Sequence, residues 1–307
     1  MIKKMIRRFC DLDGTILFSY RYEIGEKVLV ERYNGKELSY MPRGSYEFLQ
    51  QMGDNEFIPL TSRTIEQYER IRFFKDDRKP DFALVDNGGI LLVNGEVDEE
   101  WRKMTHDMIL KDISTMREMV NEIRKYGTVK WQDDMIIFLK LLREEDYGMI
   151  EKIVEKYRLM IFRHFTKVYI CSKKLSKGNA VRRFMTTYIP KIQKYYTDDF
   201  IIVAGDTKVD LSMMESADLC VFSKELQDGY HFLKGQYLEK REVKKQKTED
   251  EKVENQKAKN EKTENQKTEN QKASIRKIEN QRVIFTESVN IGKIVFELSN
   301  QIFKQEG

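Results

Sequence analysis

The sequence predicts an α/β protein: a parallel sheet covered on both faces by helices, with a smaller α+β unit inserted into it. Three observations predict this. Short apolar runs at Ile6–Cys10, Glu56–Leu60, Phe82–Asp86, Phe200–Ala204 and Leu219–Phe222 alternate with helical patterns, as parallel strands with crossover helices do. Several runs end abruptly in polar groups: Asp11 and Asp13 after the first, Thr61 and Ser62 after the second, Asp206 after the fourth. Ligands of such sheets bind at the carboxyl ends of the strands. Between residues 97 and 172 the alternation breaks into helix-strand-strand twice over, the order of an antiparallel sheet with helices on one face.

Composition supports a globular body. Of 307 residues 40% are hydrophobic, with 17 Phe and 15 Tyr, enough for one or two cores. No apolar run approaches the length of a membrane-spanning helix, and no membrane association is expected. The basic start, Met1 to Arg8, is followed by no clean apolar stretch before Asp11, so no signal peptide is expected. Cys10, Cys171 and Cys220 sit in apolar, strand-like contexts and read as small buried hydrophobes of a reducing, cytoplasmic compartment. There are 55 Lys and Arg against 51 Asp and Glu; residues 240–281 hold 13 and 9 of these, leaving 42 of each elsewhere. A neutral body carries no electrostatic footprint for nucleic acid.

Chemistry concentrates in four places. In Phe9-Cys-Asp-Leu-Asp-Gly-Thr-Ile16 two carboxylates at i, i+2 close a strand. Alternate residues of an extended chain point opposite ways, so Asp11 and Asp13 share a site only through the turn that Gly14 permits. Such a pair suits a hard cation and a phosphoryl group. In Phe57-Ile-Pro-Leu-Thr-Ser-Arg63 the Thr61 hydroxyl either donates to a phosphoryl oxygen or, like Ser62, caps the next helix. In Leu175-Ser-Lys-Gly-Asn-Ala180 a lysine stands at a helix start, where the backbone is already electropositive and a cation needs a reason. Residues 201–214 end a strand in Gly205-Asp206, with Asp210 four residues on; a helix cap is the rival role for either Asp.

These four motifs, in this order, resemble those of the haloacid dehalogenase superfamily of phosphohydrolases. The resemblance spans residues 5–235 and, less closely, 282–304. It implies a Rossmann-like core and a magnesium-dependent phosphatase acting through an aspartyl-phosphate. Asp11 is then the nucleophile and Asp13 the acid/base. Thr61 and Lys177 hold the phosphoryl oxygens, and Mg2+ is bound by Asp11, the Asp13 carbonyl, Asp206 and Asp210. The family commonly has Asn before the second Asp of the last motif; here that position is Val209, which puts one polar contact in doubt.

After the first motif, runs at Lys27–Glu31 and Glu37–Tyr40 flank Asn34-Gly35, a strong hairpin signal; it resembles the superfamily's flap. Asn87-Gly88 and Asn94-Gly95 bracket a strand before residue 97, as in superfamily members with a cap between motifs two and three. A helix with Trp101, Ile109, Ile113, Met116, Val120 and Ile123 on one face leads to strands at Thr128–Gln132 and Met135–Leu142. A helix over Glu145–Tyr157 then leads to Leu159–Phe165 and Lys167–Cys171. This resembles the α/β cap of sugar-phosphate phosphatases and phosphomannomutases. Lys130, Lys140, Arg163, His164 and Lys167 lie on its strands. Arg63, Asn87, Arg163 and Lys167 are the candidate substrate-binding residues.

Residues 252–281 repeat with period five around Lys-Thr-Glu-Asn-Gln. That period matches neither helix nor strand and forms no apolar stripe, so a disordered insertion is expected over 240–281. The expected map is therefore core over 1–96, cap over 97–172, core over 173–239, insertion over 240–281, and a last strand and helix over 282–307. The expected substrate is a small phosphate monoester, with a sugar phosphate first by cap type; a protein partner for the insertion has nothing in the sequence to support it. The alternatives are a phosphomutase of the same fold and a non-enzymatic binding protein on the same scaffold.

Overall fold

The computed structural model describes residues 5–52, 57–164, 166–192, 199–236 and 281–305. In chain order the elements begin with β1 Ile6–Cys10, β2 Phe18–Ser19, β3 Lys27–Tyr33, β4 Lys36–Pro42, α1 Arg43–Gln51, β5 Phe57–Pro59, α2 Ile65–Glu69 and β6 Phe82–Val85. Next come β7 Ile90–Val93, β8 Glu96–Val97, α3 Glu99–Ile123, β9 Gly127–Gln132, β10 Ile136–Leu141, α4 Tyr147–Lys156, β11 Met160–His164 and β12 Lys167–Cys171. The chain then runs through α5 Lys177–Arg183, α6 Ile189–Ile192, β13 Phe200–Gly205, β14 Leu219–Ser223, β15 Arg282–Thr286 and α7 Ser288–Gln305.

The central sheet has the order β15-β14-β13-β1-β5, with every neighbouring pair parallel. The chain leaves β1 to one side for β5 and returns to the other for β13. The strand order therefore switches direction at β1, the place where open α/β sheets bind ligands. Alternate residues feed opposite cores. Cys10, Ile202, Ala204 and Val221 pack with Leu49 of α1 and Ile291, Val295 and Phe296 of α7. Phe9, Val203, Cys220 and Phe222 pack with Ala180 and Val181 of α5, Phe184, Met213 and Met214. The first strand is less apolar than its run suggests, since Arg7 and Arg8 are buried within it. Arg7 Nε donates to Asp199 Oδ2 at 2.6 Å, which offsets the cost of burying the guanidinium.

The run expected as a parallel strand at Phe82–Asp86 is not in the central sheet. β6 pairs antiparallel with β7, and β7 with β8, in a small sheet of its own, because the close turns at Asn87-Gly88 and Asn94-Gly95 fold the chain straight back. A single parallel bridge, Leu60 to Leu84, joins it to the end of β5. Two further antiparallel units stand on this body. The hairpin β3–β4 turns at Asn34 and Gly35, both at positive φ, and β2 extends it into a three-stranded sheet. The second unit is the cap: α3, β9, β10, α4, β11 and β12 make the predicted double helix-strand-strand, with sheet order β11-β12-β10-β9. One face of that sheet carries Val129, Ile137, Leu139, Ile161, Val168 and Ile170. It packs on Met116, Met119, Val120 and Ile123 of α3 and on Ile150 and Val154 of α4. Asp98 starts α3 by accepting from Trp101 N at 2.8 Å, a side-chain cap. None of the described helices is long and apolar enough to cross a membrane.

The insertion expected over 240–281 lies outside the described residues except for Gln281. That side chain is buried. Its Nε2 donates to the Met214 and Ala217 carbonyls at 2.6 and 2.8 Å, and its Oε1 accepts from Tyr230 Oη at 2.9 Å. It thus ties the start of β15 to the end of β13's crossover. Gln281→Ala leaves two carbonyls and a phenol without these partners and should cost about 2 kcal/mol or more, since orphaned buried polar groups are expensive. Replacing 240–280 by a short flexible linker removes no apolar stripe and should leave the thermal midpoint near that of the full chain. Thermal unfolding of both variants checks the pair of outcomes.

Candidate active site

β1 delivers Asp11 and Asp13 to the switch point, between the end of β5 and the end of β13. Asp11 is buried and its backbone N–H donates to the Ala204 carbonyl at 3.0 Å. Gly14 stands at φ 81°, and a Cβ there would overlap the Asp206 carboxylate. The glycine is needed twice, for its left-handed backbone and for the approach of Asp206.

Three carboxylates converge. One oxygen each of Asp11, Asp206 and Asp210 lies within 4.8 Å of the others, an arrangement able to hold a metal ion. Asp206 Oδ1 accepts from Thr15 Oγ1 at 3.1 Å. Asp210 Oδ2 accepts from the Thr207 N–H at 2.8 Å and from Thr207 Oγ1 at 2.6 Å. Lys177 is the first residue of α5, whose cap is Ser176. Its Nζ lies 2.6 Å from Asp11 Oδ1 and 2.6 Å from Asp210 Oδ1. A cation at this helix start thus has its reason: the two carboxylates outweigh the helix end.

The electrostatics follow. Burial pushes the Asp11 pKa well above the usual carboxylate range; Lys177 opposes the shift while Asp210 and Asp206 add to it. Asp206 is pushed up to about 7, by burial first and then by Asp210. Burial works against the Lys177 charge, but Asp11 and Asp210 outweigh it and hold its pKa above the ordinary lysine value. Three carboxylates against one ammonium leave an excess of negative charge that a divalent cation with oxygen ligands would neutralise. The donor set is all oxygen, which fits a hard cation.

Thr61 is fully buried and its Oγ1 accepts from Arg63 N at 3.1 Å. The cap of α2 is Thr64, which accepts from Gln67 N in a capping box. Neither Thr61 nor Ser62 is therefore spent as the N-cap. Asp13 lies apart from the carboxylate trio. Its side chain is 53% exposed and its two oxygens accept from Arg63 Nε and Nη2, each at 2.7 Å. Arg63 also donates through Nη1 to Glu31 Oε2 at 3.0 Å and to the Gln67 carbonyl at 3.2 Å, and through Nη2 to Ser39 Oγ at 3.4 Å. All five guanidinium N–H groups have protein acceptors, so a substrate must displace one of them to bind Arg63. Asn87 is buried at φ 56°, and its backbone N–H donates to the Thr61 carbonyl at 2.9 Å.

The cap sheet shows its other face to this end of the core. Register places Phe138, Tyr169 and Phe162 side by side across β10, β12 and β11. The Phe162 and Tyr169 rings stack at 5.1 Å. Met160, Phe162 and Tyr169 of this face pack against the core cluster, and burial raises the Tyr169 phenol pKa, with the Asp13 carboxylate adding to it. Lys167 and Lys140 share the strip's face two residues further along their strands and are exposed. Arg163 pairs with Val168 on the opposite, helix-packed face, where its guanidinium lies 4.3 Å over the Tyr147 ring. Of the four candidate substrate-binding residues the structure brings Arg63 and Asn87 to the site. It puts Lys167 on the facing cap surface and Arg163 on the far side.

Reasoning from the sequence missed Thr15, Thr207, Glu31, Ser39 and Tyr169. Thr15 directly follows Gly14, and Thr207 directly follows Asp206, so adjacency to a motif was a signal for both. Nothing in the sequence tied Glu31 or Tyr169 to the site.

No protein-family model and no curated protein matches the sequence. Among solved structures, sucrose-phosphatase from Synechocystis sp. PCC6803, in complex with sucrose and phosphate, is similar with a TM-score of 0.51. Identity is 15%, over 75% of this chain and 88% of that one. A trehalose-6-phosphate phosphatase related protein has a TM-score of 0.47 and 12% identity over 98% and 99% of the two chains. A HAD subclass IIB sugar phosphatase has 0.46 and 14% over 71% and 87%. At these identities the likeness concerns the fold. With its switch point at β1 and its inserted helix-strand-strand repeat, the chain shares the fold of that sucrose-phosphatase, a Rossmann-like core with an α/β cap, as its resemblance to the haloacid dehalogenase motifs implies.

Proposed function

We propose that this chain is a magnesium-dependent phosphatase acting on a small phosphate monoester, a sugar phosphate by preference. The observation that carries the reading is the buried cluster of Asp11, Asp206 and Asp210 with Lys177 between two of its members. A lysine and three carboxylates at a strand-end crevice suit a phosphoryl group and a hard cation together. Asp11, the Asp13 carbonyl, Asp206 and Asp210 would hold Mg2+, which supplies charge neutralisation to the phosphoryl oxygens when bound.

The chain's own residues then act in two steps. The Asp11 carboxylate attacks phosphorus in line, and the bond from phosphorus to the leaving oxygen breaks as that oxygen takes a proton from Asp13, one of whose oxygens must give up its Arg63 N–H to carry it. Asp13 next takes a proton from water as the water attacks the aspartyl-phosphate. Inorganic phosphate leaves and Asp11 is restored. Lys177 sits against Asp11 and holds both the nucleophile and the phosphoryl oxygens; the buried Thr61 hydroxyl donates to the same oxygens. The aromatic strip of Phe138, Phe162 and Tyr169 offers a platform for the apolar face of a sugar ring. The likeness to a sucrose-phosphatase fold is consistent with a sugar phosphate.

Purified protein with Mg2+ should release free phosphate from sugar phosphates, and Asp11→Asn should fold normally with turnover reduced to a small fraction of wild type. Retention of most turnover by that variant would remove Asp11 as the nucleophile.

The carboxylate cluster also sets a pH dependence. Folded Asp206 keeps its proton up to about 7, against an ordinary value of 3.8. Between those values the folded state binds more protons than the unfolded state, so without metal stability should fall as pH rises through this window. Mg2+ competes with the proton, so it should raise the thermal midpoint more at pH 8 than at pH 5. Asp206→Asn should flatten both trends. Thermal unfolding with Mg2+ or with a chelator, at the two pH values, checks the sign.

A further inference from the structure

We infer that Glu31 is a positioning residue for Asp13, acting through Arg63; the inference rests on the phosphatase reading. Glu31 is a carboxylate on the β3–β4 hairpin with only 2% of its surface exposed. It sits at an irregularity in the pairing of β3 with β4. An isolated charge at such a site is costly, yet this one is surrounded by donors. Its Oε2 accepts from Ser39 Oγ at 2.5 Å and from Arg63 Nη1 at 3.0 Å. Its Oε1 lies 3.6 Å from Arg70 Nε, and Arg70 in turn lies over the Tyr33 ring at 4.5 Å. Ser39, Tyr33 and Glu31 all belong to the hairpin.

The guanidinium is planar, and its edges are divided between two jobs. The Nε and Nη2 edge meets both oxygens of Asp13 at 2.7 Å. The Nη1 end is held by Glu31 and the Gln67 carbonyl. Fixing one end of a rigid fork fixes the plane of the other. The charges also balance locally, since Arg63 and Arg70 face Asp13 and Glu31. Without Glu31 the Nη1 end keeps only the longer contact to the Gln67 carbonyl, 3.2 Å, so the Arg63 plane is held more loosely and the half-exposed Asp13 side chain with it. Supporting partners of this kind typically alter activity by about ten- to a hundredfold when removed. The arrangement makes the hairpin part of the acid/base apparatus, and closure or movement of the hairpin would be felt at Asp13.

The test compares two esters in single turnover, wild type against Glu31→Gln. Breaking an alkyl phosphate needs a proton on the leaving oxygen, whereas p-nitrophenolate leaves without one. The first step with the alkyl ester should slow about tenfold, while the p-nitrophenolate burst should stay within about twofold of wild type. In an Asp13→Asn background Glu31→Gln should add nothing further. Equal slowing of both esters, no slowing, or full additivity with Asp13→Asn would overturn the inference. Ser39→Ala removes a hydroxyl that donates to Glu31; if Glu31→Gln does not fold, this variant should show the same pattern more weakly, and its absence would overturn the inference. A readout independent of turnover is the Arg63 Nε–H resonance in 15N spectra, which should shift or vanish in Glu31→Gln and overturns the inference if unchanged. Failure of the phosphatase reading looks different: wild type and Asp11→Asn would then be alike in inactivity, and the resonance alone would decide the Glu31–Arg63–Asp13 linkage.

Discussion

Three carboxylates cannot occupy one strand-end crevice unless something offsets their charge. Lys177 supplies part of that offset at 2.6 Å from both Asp11 and Asp210, and much of the surrounding structure is arranged around this contact. α5 must begin where it does to bring Lys177 to β1. A Cβ at Gly178 would overlap the Ser212 carbonyl, so close packing of α5 on the turn after β13 sets the reach of the lysine. Gly14 must lack a side chain for Asp206 to approach. The remaining excess of negative charge is expressed as raised pKa values for Asp11 and Asp206, each with burial as the leading cause. A buried site of this kind, whose protons a cation can replace, is suited to hold a metal ion.

The neighbouring network solves a different problem. Asp13 is partly exposed and needs orientation more than charge, and Arg63 provides a planar fork for it. Dividing the four Asp residues in this way separates their environments: buried and mutually repelling for Asp11, Asp206 and Asp210, open and paired for Asp13. Under the proposed mechanism such contrasting surroundings suit a nucleophile and an acid/base in one site. The cap contributes from the opposite side. Its aromatic strip faces the site, while its basic residues lie at the far end of that face or, for Arg163, behind it.

Much of this was legible in the sequence because it is local. A strand that stops in Asp-x-Asp-Gly, or in Gly-Asp with a second Asp four residues on, states its own geometry. The double helix-strand-strand of the cap follows from periodicity, and the apolar run Lys167–Cys171 coincides with β12. What escaped was set by tertiary contact. Arg7 and Arg8 in β1 are tolerated because the fold brings a carboxylate to Arg7. Arg163 reads like the other cap cations in sequence, because strand parity alone does not say which face meets the core; only packing on α4 turns it towards Tyr147. Glu31 looked like an ordinary hairpin residue, and its burial with two arginines depends on residues 32 and 39 positions later in the chain.

Of the two carboxylates that Lys177 touches, Asp11 is the one proposed to take up phosphorus. Acid quenching during turnover with a phosphate monoester, followed by peptide mass spectrometry, tests it most directly. With p-nitrophenyl phosphate as the ester, a phosphoryl group is expected on Asp11, absent from the Asp11→Asn variant and accumulating in Asp13→Asn, since p-nitrophenolate leaves without a proton whereas the attack of water needs a base. Steady phosphate release with no modification of Asp11 in any of these samples, or a phosphoryl group on another residue, would contradict it.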